Sequence, residues 1–335
     1  VVRKIDLIKN CEIFLSIILF FRIAMIRLLV IKPSSLGDII HGLQVIESIK
    51  QQIADVHVTW IANDTFQDFV AACSTVDVVV PFYRSGGITA FAKLLWNLKK
   101  GPQYDFVFDL QGLLRSALML KSACGNLKIG RQDAREGATL FYQHVAKLPA
   151  HKPAHAIDIL LQFLPFMGLE ATLKGHLQFH SNRAVSTPII PDNAIILFPN
   201  SRRPEKEWPY FSQLTEALLQ VVPYRTVVWA GQTAPKIDPS WPKDRFHNLI
   251  GKTSLLELPL IIQKATIVVA NDSGPMHIAA AMSKPLLALF GPTDPLQYGP
   301  YPLNSPFNNV ALSENGRIEA LSANAVLDYL LKILK

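Results

Sequence analysis

The stretch that most restricts how this chain folds is Thr266–Pro295. A β-branched apolar run, TIVVA, ends abruptly in Asn271-Asp272-Ser273-Gly274-Pro275. Short runs of this kind are the signature of a parallel strand buried on both faces. The polar cluster after it makes a turn and starts a helix, read over Met276–Met282. A second strand, Leu286–Phe290, ends in the rigid loop Gly291-Pro292-Thr293-Asp294-Pro295. Two loops at the carboxyl ends of neighbouring strands therefore carry Asp272, Ser273, His277, Thr293 and Asp294. In open α/β sheets ligands bind along that edge. A helix opening on Ser-Gly presents free N–H groups and a positive dipole end, which suits a phosphate. The plainer alternative is a βαβ unit with ordinary caps.

The same alternation runs through the rest of the chain. Strands are expected at 26–31, 56–62, 76–81, 104–110 and 127–130, with helices at 39–50, 65–73, 91–98, 113–124 and 155–168. The pattern restarts with strands at 194–198 and 226–230 and helices at 210–221, 255–264 and 323–334. Strands alternating with helices argue parallel, doubly wound sheets. The fold class is α/β, with two Rossmann-like halves and a cleft between them. Residues 26–175 form the first domain, 176–193 a linker with a polar, proline-containing core, and 194–335 the second domain.

Half of the 335 residues are hydrophobic, enough for two cores, and the formal net charge is +7. The cationic excess is spread out, with no basic run interleaved with aromatics. That argues against nucleic acid and for an anionic substrate or a membrane surface. Cys11, Cys73 and Cys124 form no metal or redox spacing and suggest a reducing compartment. Residues 1–25 are set apart as an N-terminal extension. Its uncharged core, Ile13–Phe21, is too short for a membrane span, which needs roughly 20 residues. The preferred expectation is that residues 1–24 are upstream sequence translated ahead of Met25; a monotopic anchor is the alternative.

Three further clusters carry candidate chemistry. In KPSSLGDIIH, Asp38 stands in the first turn of a helix after the first strand. It reads either as a general base or as a carboxylate complementing the helix dipole. In FPNSRRPEKEW, Ser201 and Lys206 crowd a strand end and could contact a diphosphate, or belong to a solvated loop of mixed charge. No glycine-rich nucleotide fingerprint accompanies them. Arg115, Arg131 and Arg135 follow strands of the first half, and arginine suits bidentate recognition of carboxylate or phosphate.

Five segments, KPSSLGDIIHGL, YDFVFDLQGLLRSA, GRQDAREGATLFY, SRRPEKEWPYF and NDSGPMHIAAAMSKPLLALFGPTDP, together resemble the glycosyltransferase family that includes the lipopolysaccharide heptosyltransferases. The likeness covers about residues 26–335 and is strongest to members that add the first heptose of the inner core. It implies a GT-B fold and an inverting transfer from ADP-heptose to a Kdo residue on lipid A, with neither metal nor cofactor. It implies a cytoplasmic protein in peripheral contact with the inner membrane. Asp38 matches the catalytic base. Ser201, Lys206, Gln232, Asp272, Ser273, Gly274, His277, Thr293 and Asp294 match donor-binding positions, while Lys32, Ser34, Ser35, Arg115 and Arg135 match acceptor-binding ones. Gln232 departs from the acidic residue the family commonly places near the donor ribose; it can hydrogen-bond a hydroxyl but without charge. The competing readings are a nucleotide-sugar 2-epimerase and a non-catalytic nucleotide-sugar-binding protein at the membrane.

Overall fold

A computed structural model describes residues 25–151, 153–180, 190–233 and 235–335. The extension 1–24 and most of the linker's centre, 181–189, lie outside the described residues. Contacts divide the chain into two units. One runs through residue 152 and takes in Ile157–Gly175; the other takes in Pro153–Ala156 and His176–Lys335. The excursion of 153–156 into the second unit has a physical cause. The His155 ring stacks on Tyr301, with centroids 4.8 Å apart, and its Nε2 lies 3.1 Å from the Gly299 carbonyl oxygen.

The first unit contains β1 (Ile26–Ile31), α1 (Leu36–Lys50), β2 (Val56–Asn63), α2 (Gln67–Ala71), β3 (Val78–Phe82), α3 (Gly87–Lys99), β4 (Tyr104–Asp109), α4 (Leu114–Ser122), β5 (Gly125–Arg131) and β6 (His144–Ala146). Helix α5 (Ala156–Leu161) begins at the return crossing. The second contains β7 (Ala194–Phe198), α6 (Phe211–Val221), β8 (Thr226–Gly231), β9 (Phe246–Ile250), α7 (Leu258–Lys264), β10 (Ile267–Asn271), α8 (Gly274–Ala281), β11 (Leu286–Phe290), α9 (Pro295–Tyr298), β12 (Asn308–Leu312) and α10 (Ala323–Ile333).

Both sheets are six-stranded, with orders β3-β2-β1-β4-β5-β6 and β12-β11-β10-β7-β8-β9. All their pairings are parallel. Renumbered within its own unit, each sheet runs 3-2-1-4-5-6, the doubly wound order. The central strands are largely apolar because helices cover both faces: β7, β10 and β11 are buried at every position. The strands that apolar runs did not reveal, β6, β9 and β12, are edge strands. Their sequences HVA, FHNLI and NNVAL are half-exposed and mix polar with apolar residues.

Each sheet reverses its winding beside its first strand, between β1 and β4 and between β7 and β10. At both reversals the fourth strand of the unit ends in a fully buried polar residue, Asp109 on β4 and Asn271 on β10. Asn271 fastens the loop after β7. Its Oδ1 accepts from the Trp208 amide at 3.1 Å, and its Nδ2 donates to the Pro199 carbonyl at 2.8 Å. The Asn271→Ala variant strands both buried backbone groups, each worth about 1–3 kcal/mol. Urea denaturation followed by tryptophan fluorescence should show a loss in that range or above. A loss under about 0.5 kcal/mol, the size of an ordinary surface substitution, would mean that other contacts hold the loop.

Candidate functional site

In the first unit the loops after β1 and β4 lie side by side, because Ile31 and Asp109 are register partners. Ser35 is the N-cap of α1, and Asp38 sits in its first turn. Asp38 Oδ2 accepts from the Ser35 amide at 3.1 Å and from the Ser35 hydroxyl at 2.7 Å. Asp38 Oδ1 stands 3.6 Å from the Lys32 ammonium; the lysine side chain is 3% exposed and the aspartate 43%. One carboxylate oxygen is thus fixed, while the group as a whole remains open to solvent. Burial would raise the Asp38 pKa, but the Lys32 charge and the Ser35 hydrogen bonds hold it below the usual carboxylate range. Burial draws Lys32 below an ordinary lysine, with Asp38 opposing.

Beneath this pair lies a denser polar layer. Asp109 accepts from the amides of Gln111 and Gly112 at 2.9 and 3.1 Å, from Ser116 Oγ at 2.9 Å and from the Tyr142 hydroxyl at 2.8 Å. Burial nonetheless pushes its pKa up. Arg131 forks onto Asp133 at 2.8 and 2.6 Å and donates to the Leu110 carbonyl at 3.2 Å. Burial pulls against the Arg131 charge, but Asp133, Asp38 and Asp109 keep its pKa above the ordinary value. The Ser34 amide donates to Gln111 Oε1 at 3.4 Å, joining the two loops. A cysteine nucleophile has no support here: burial pushes the Cys73 thiol up to about 11.

In the second unit three loops converge on Asp272, which is 8% exposed. Its Oδ2 receives the Lys206 ammonium and, at 2.7 Å, the Thr293 hydroxyl. The Ser201 hydroxyl donates to the Asp272 carbonyl at 3.4 Å, while the Ser201 amide is held by Glu207 at 2.9 Å. Ser273 is the N-cap of α8, with Gly274 its first residue and His277 in its opening turn. The Ser273 hydroxyl donates to the Asn271 carbonyl at 3.1 Å. Asp294 caps α9 by accepting from the Leu296 amide at 2.9 Å. The Gln232 amide reaches Asn200 Oδ1 at 2.9 Å, which leaves the Gln232 side chain exposed beside the loop after β7.

Most of the residues singled out in the sequence fall into two groups, with Gln232, Arg115, Arg131 and Arg135 outside them. Lys32, Ser34, Ser35 and Asp38 gather at the β1–β4 reversal. Ser201, Lys206, Asp272, Ser273, Gly274, His277, Thr293 and Asp294 surround the β7–β10 reversal and the adjoining end of β11. Two placements differ in kind from a residue that waits for a ligand. Lys32 is buried against Asp38, and Lys206 is already paired with Asp272. Arg115 and Arg135 are exposed; the Arg115 guanidinium lies 5.7 Å above the Phe82 ring, and the Arg135 amide donates to the Gly112 carbonyl at 2.9 Å. Asp109, Gln111, Asp133, Tyr142 and Asn271 join the sites although the sequence alone does not single them out, and Arg131 stands there as one arginine among three. An Asp two and three residues before backbone donors, as in Asp109-Leu-Gln-Gly, is an Asx-turn signature that could have found the first. Nothing local marks Tyr142, which arrives from 33 residues away. Among the described residues no group of three or more His, Cys, Asp or Glu side chains gathers as a metal site.

Comparison with known proteins fits this architecture. A lipopolysaccharide heptosyltransferase 1 of Salmonella typhimurium is 29% identical over 322 residues, covering 85% of this chain and 96% of its own. The solved E. coli heptosyltransferase WaaC with ADP superposes with a TM-score of 0.73 at 23% identity, covering 92% of this chain and 100% of its own. The same enzyme with ADP-2-deoxy-2-fluoro heptose gives 0.71 at 23% identity, covering 92% and 99%. Those structural likenesses establish the GT-B arrangement of two parallel sheets. The family model described as glycosyltransferase family 9 (heptosyltransferase) matches residues 92–325, most of the chain, so this protein belongs to that glycosyltransferase family.

Proposed function

We propose that the protein transfers heptose from ADP-heptose, with inversion, to a Kdo residue of a lipid A acceptor, in lipopolysaccharide inner-core synthesis at the cytoplasmic surface of the inner membrane. Family membership supports the class of reaction. The relatives named lipopolysaccharide heptosyltransferase 1 support the pathway. The solved relative bound to a fluorinated ADP-heptose supports the donor. The observation that carries the mechanism is Asp38, an ionised carboxylate with one oxygen fixed by Ser35 and the group still open to solvent.

In this reading Asp38 accepts the proton of the acceptor hydroxyl as that oxygen bonds to the anomeric carbon. The bond from that carbon to the diphosphate oxygen breaks on the opposite face, and ADP leaves with the electron pair. A single displacement inverts configuration. Charge grows on the departing diphosphate, where preorganised donors count most. Lys206 carries three N–H donors, so one can stay on Asp272 while others face a phosphate. The start of α8 adds N–H groups and the helix dipole. Arg115 and Arg135 supply cations for an anionic acceptor. Omitting the acceptor tests the reaction class: a transferase then gives at most slow hydrolysis, whereas full turnover of the donor alone would make the protein an epimerase.

Lys206→Ala removes a charge-assisted contact and leaves Asp272 as an unopposed carboxylate beside the phosphates. Such a contact contributes roughly 1.5–3 kcal/mol, so calorimetry should show ADP affinity reduced about tenfold or more. Unchanged affinity would take Lys206 out of the donor site.

Asp38→Asn removes the base, and turnover should fall about 10²–10⁴-fold. Because Lys32 is buried against Asp38, the same change leaves an ammonium without its counter-charge and should lower the melting temperature. The double variant Lys32→Met, Asp38→Asn restores electrical balance, so it should recover stability but not single-turnover rate. Recovery of both would assign Asp38 to structure alone.

The pH dependence has a definite sign. The folded-state pKa of Asp38 lies below its ordinary value. Its contribution to stability is therefore full above the unfolded value of about 3.9 and is lost as pH falls through the folded value. Lys32→Met deletes the charge that depresses it and leaves burial, which raises it. The acid limb of the kcat/KM profile should then move to higher pH. A limb that stays in place would separate Lys32 from the base.

A further inference from the structure

Helix α3 packs on its unit through Phe91, Leu94, Leu95 and Leu98 and leaves a broad face uncovered. Of its thirteen residues only Leu94 and Leu98 are buried. A cavity of about 700 Å³ beside it is lined by Val80, Tyr83, Lys93, Leu94 and Tyr104 among others, while Phe91 reaches Phe82 of β3 with ring centroids 5.9 Å apart. On the opposite side Ile88 is 87% exposed and Trp96 56%. At about 100° per residue, Ile88, Ala92 and Trp96 form one stripe, with Lys99 inside it and Lys93 and Lys100 along its border. Exposed large apolar residues on one helix face, next to cations, are not what a solvated helix needs.

The charges on the segment that carries this stripe have a single sign. From Val78 to Tyr104 the chain contains Arg84, Lys93, Lys99 and Lys100 and no Asp or Glu. The neighbouring helix α4 carries Arg115 and Lys121 and no acid of its own, though Glu136 accepts from the Leu114 amide at its start at 3.2 Å. Arg84, Lys93, Lys99 and Lys100 are exposed, and among the described residues none of them forms an ion pair. The Lys100 ammonium instead lies 4.4 Å over the Trp96 ring.

We propose that the outer face of α3 docks on an anionic lipid bilayer, with Ile88 and Trp96 entering the headgroup boundary and Arg84, Lys93, Lys99 and Lys100 meeting lipid phosphates. An apolar stripe with an aromatic residue, bordered by lysines, is the chemistry of a helix lying in the membrane interface. The helix lies on the surface and does not cross: among the described residues no helix is long and apolar enough to span a membrane. This deepens the membrane reading of the proposed function and rests on it. Vesicle binding is measured without any sugar transfer, so the two can fail separately.

The test is sedimentation of the full chain with vesicles of 3:1 phosphatidylcholine to phosphatidylglycerol, against vesicles of phosphatidylcholine alone. Wild type should bind the anionic vesicles more tightly, and salt should weaken that binding. Each lysine near an anionic surface is worth about fivefold, so Lys93→Gln, Lys99→Gln and Lys100→Gln together should weaken binding on the order of a hundredfold. Ile88→Ser with Trp96→Ser should weaken binding to anionic vesicles about tenfold or more by withdrawing buried apolar area. A matched triple variant on the second unit, Lys236→Gln, Lys243→Gln and Lys332→Gln, loses the same charge and should bind as wild type does. Melting temperatures near wild type confirm that each variant folds. Equal weakening in both triple variants would overturn the assignment to α3, as would wild-type binding that ignores lipid charge. Loss of self-association in the Ile88/Trp96 variant with vesicle binding intact would overturn it in favour of an interface between copies of the chain.

Discussion

The structure depends on a constraint of parallel sheets. A strand order of 3-2-1-4-5-6 sends the connections after the first and fourth strands to opposite faces, and the two loops part at the carboxyl edge. The gap is lined by backbone groups that no strand can pair, so the chain must satisfy them with side chains. In one unit Asp109 does this for Gln111 and Gly112; in the other Asn271 does it for Trp208 and Pro199. Both are the last residue of the fourth strand and both are fully buried. Asn271 pins the loop that carries Lys206 directly, whereas Asp109 orders the loop after β4, whose Gln111 in turn accepts from the Ser34 amide in the loop before Asp38.

Each reversal also holds a lysine–aspartate pair, Lys32 with Asp38 and Lys206 with Asp272. The pairs are balanced differently. In the first unit the lysine is deeply buried and the aspartate is open. The exposed partner can meet a substrate while the hidden one sets its charge. Arg131 adds a second cation to that neighbourhood and is itself fixed by the fork onto Asp133. A carboxylate so placed stays ionised, the state a proton acceptor requires. In the second unit both partners are largely shielded, at 12% and 8% exposure.

The central strands were legible because burial on both faces forces continuous apolar sequence, and the polar cluster after TIVVA marked where the strand had to stop. Helix α1 starts at Leu36, three residues before the expected Ile39, since Leu36 and Gly37 carry no helix signal by themselves and the Ser35 cap defines the turn. The edge strands β6, β9 and β12 carry no continuous apolar run because one side is exposed, whereas the fourth edge, β3, keeps the run VVV and is legible at 76–81. At the first site Asp38 was visible from its place after β1. Its dependence on Lys32 was not, because a lysine at a strand end reads as surface until the sheet closes over it. The Asp109–Ser116–Tyr142 layer was hidden for another reason: its members come from β4, α4 and the turn before β6, and only tertiary packing brings them together.

Asp272 presents an apparent conflict, a carboxylate in the middle of loops assigned to a diphosphate. Geometry resolves it. Its Oδ2 is occupied by Lys206 and Thr293, so its charge is spent inside the protein. Removing one partner of a shielded ion pair leaves an uncompensated charge, a loss of roughly 3–5 kcal/mol where the pair is fully buried. A diphosphate therefore gains nothing by pulling Lys206 free. On the reading proposed above, it binds to the donors Lys206 has left and to the N–H groups opening α8. Asp272 then acts as a fixed post: it ties the loops after β7, β10 and β11 to one oxygen and holds the ammonium in place before the ligand arrives. Donors held in place need no reorganisation as negative charge develops on the leaving group, and in that setting electrostatic stabilisation is most effective.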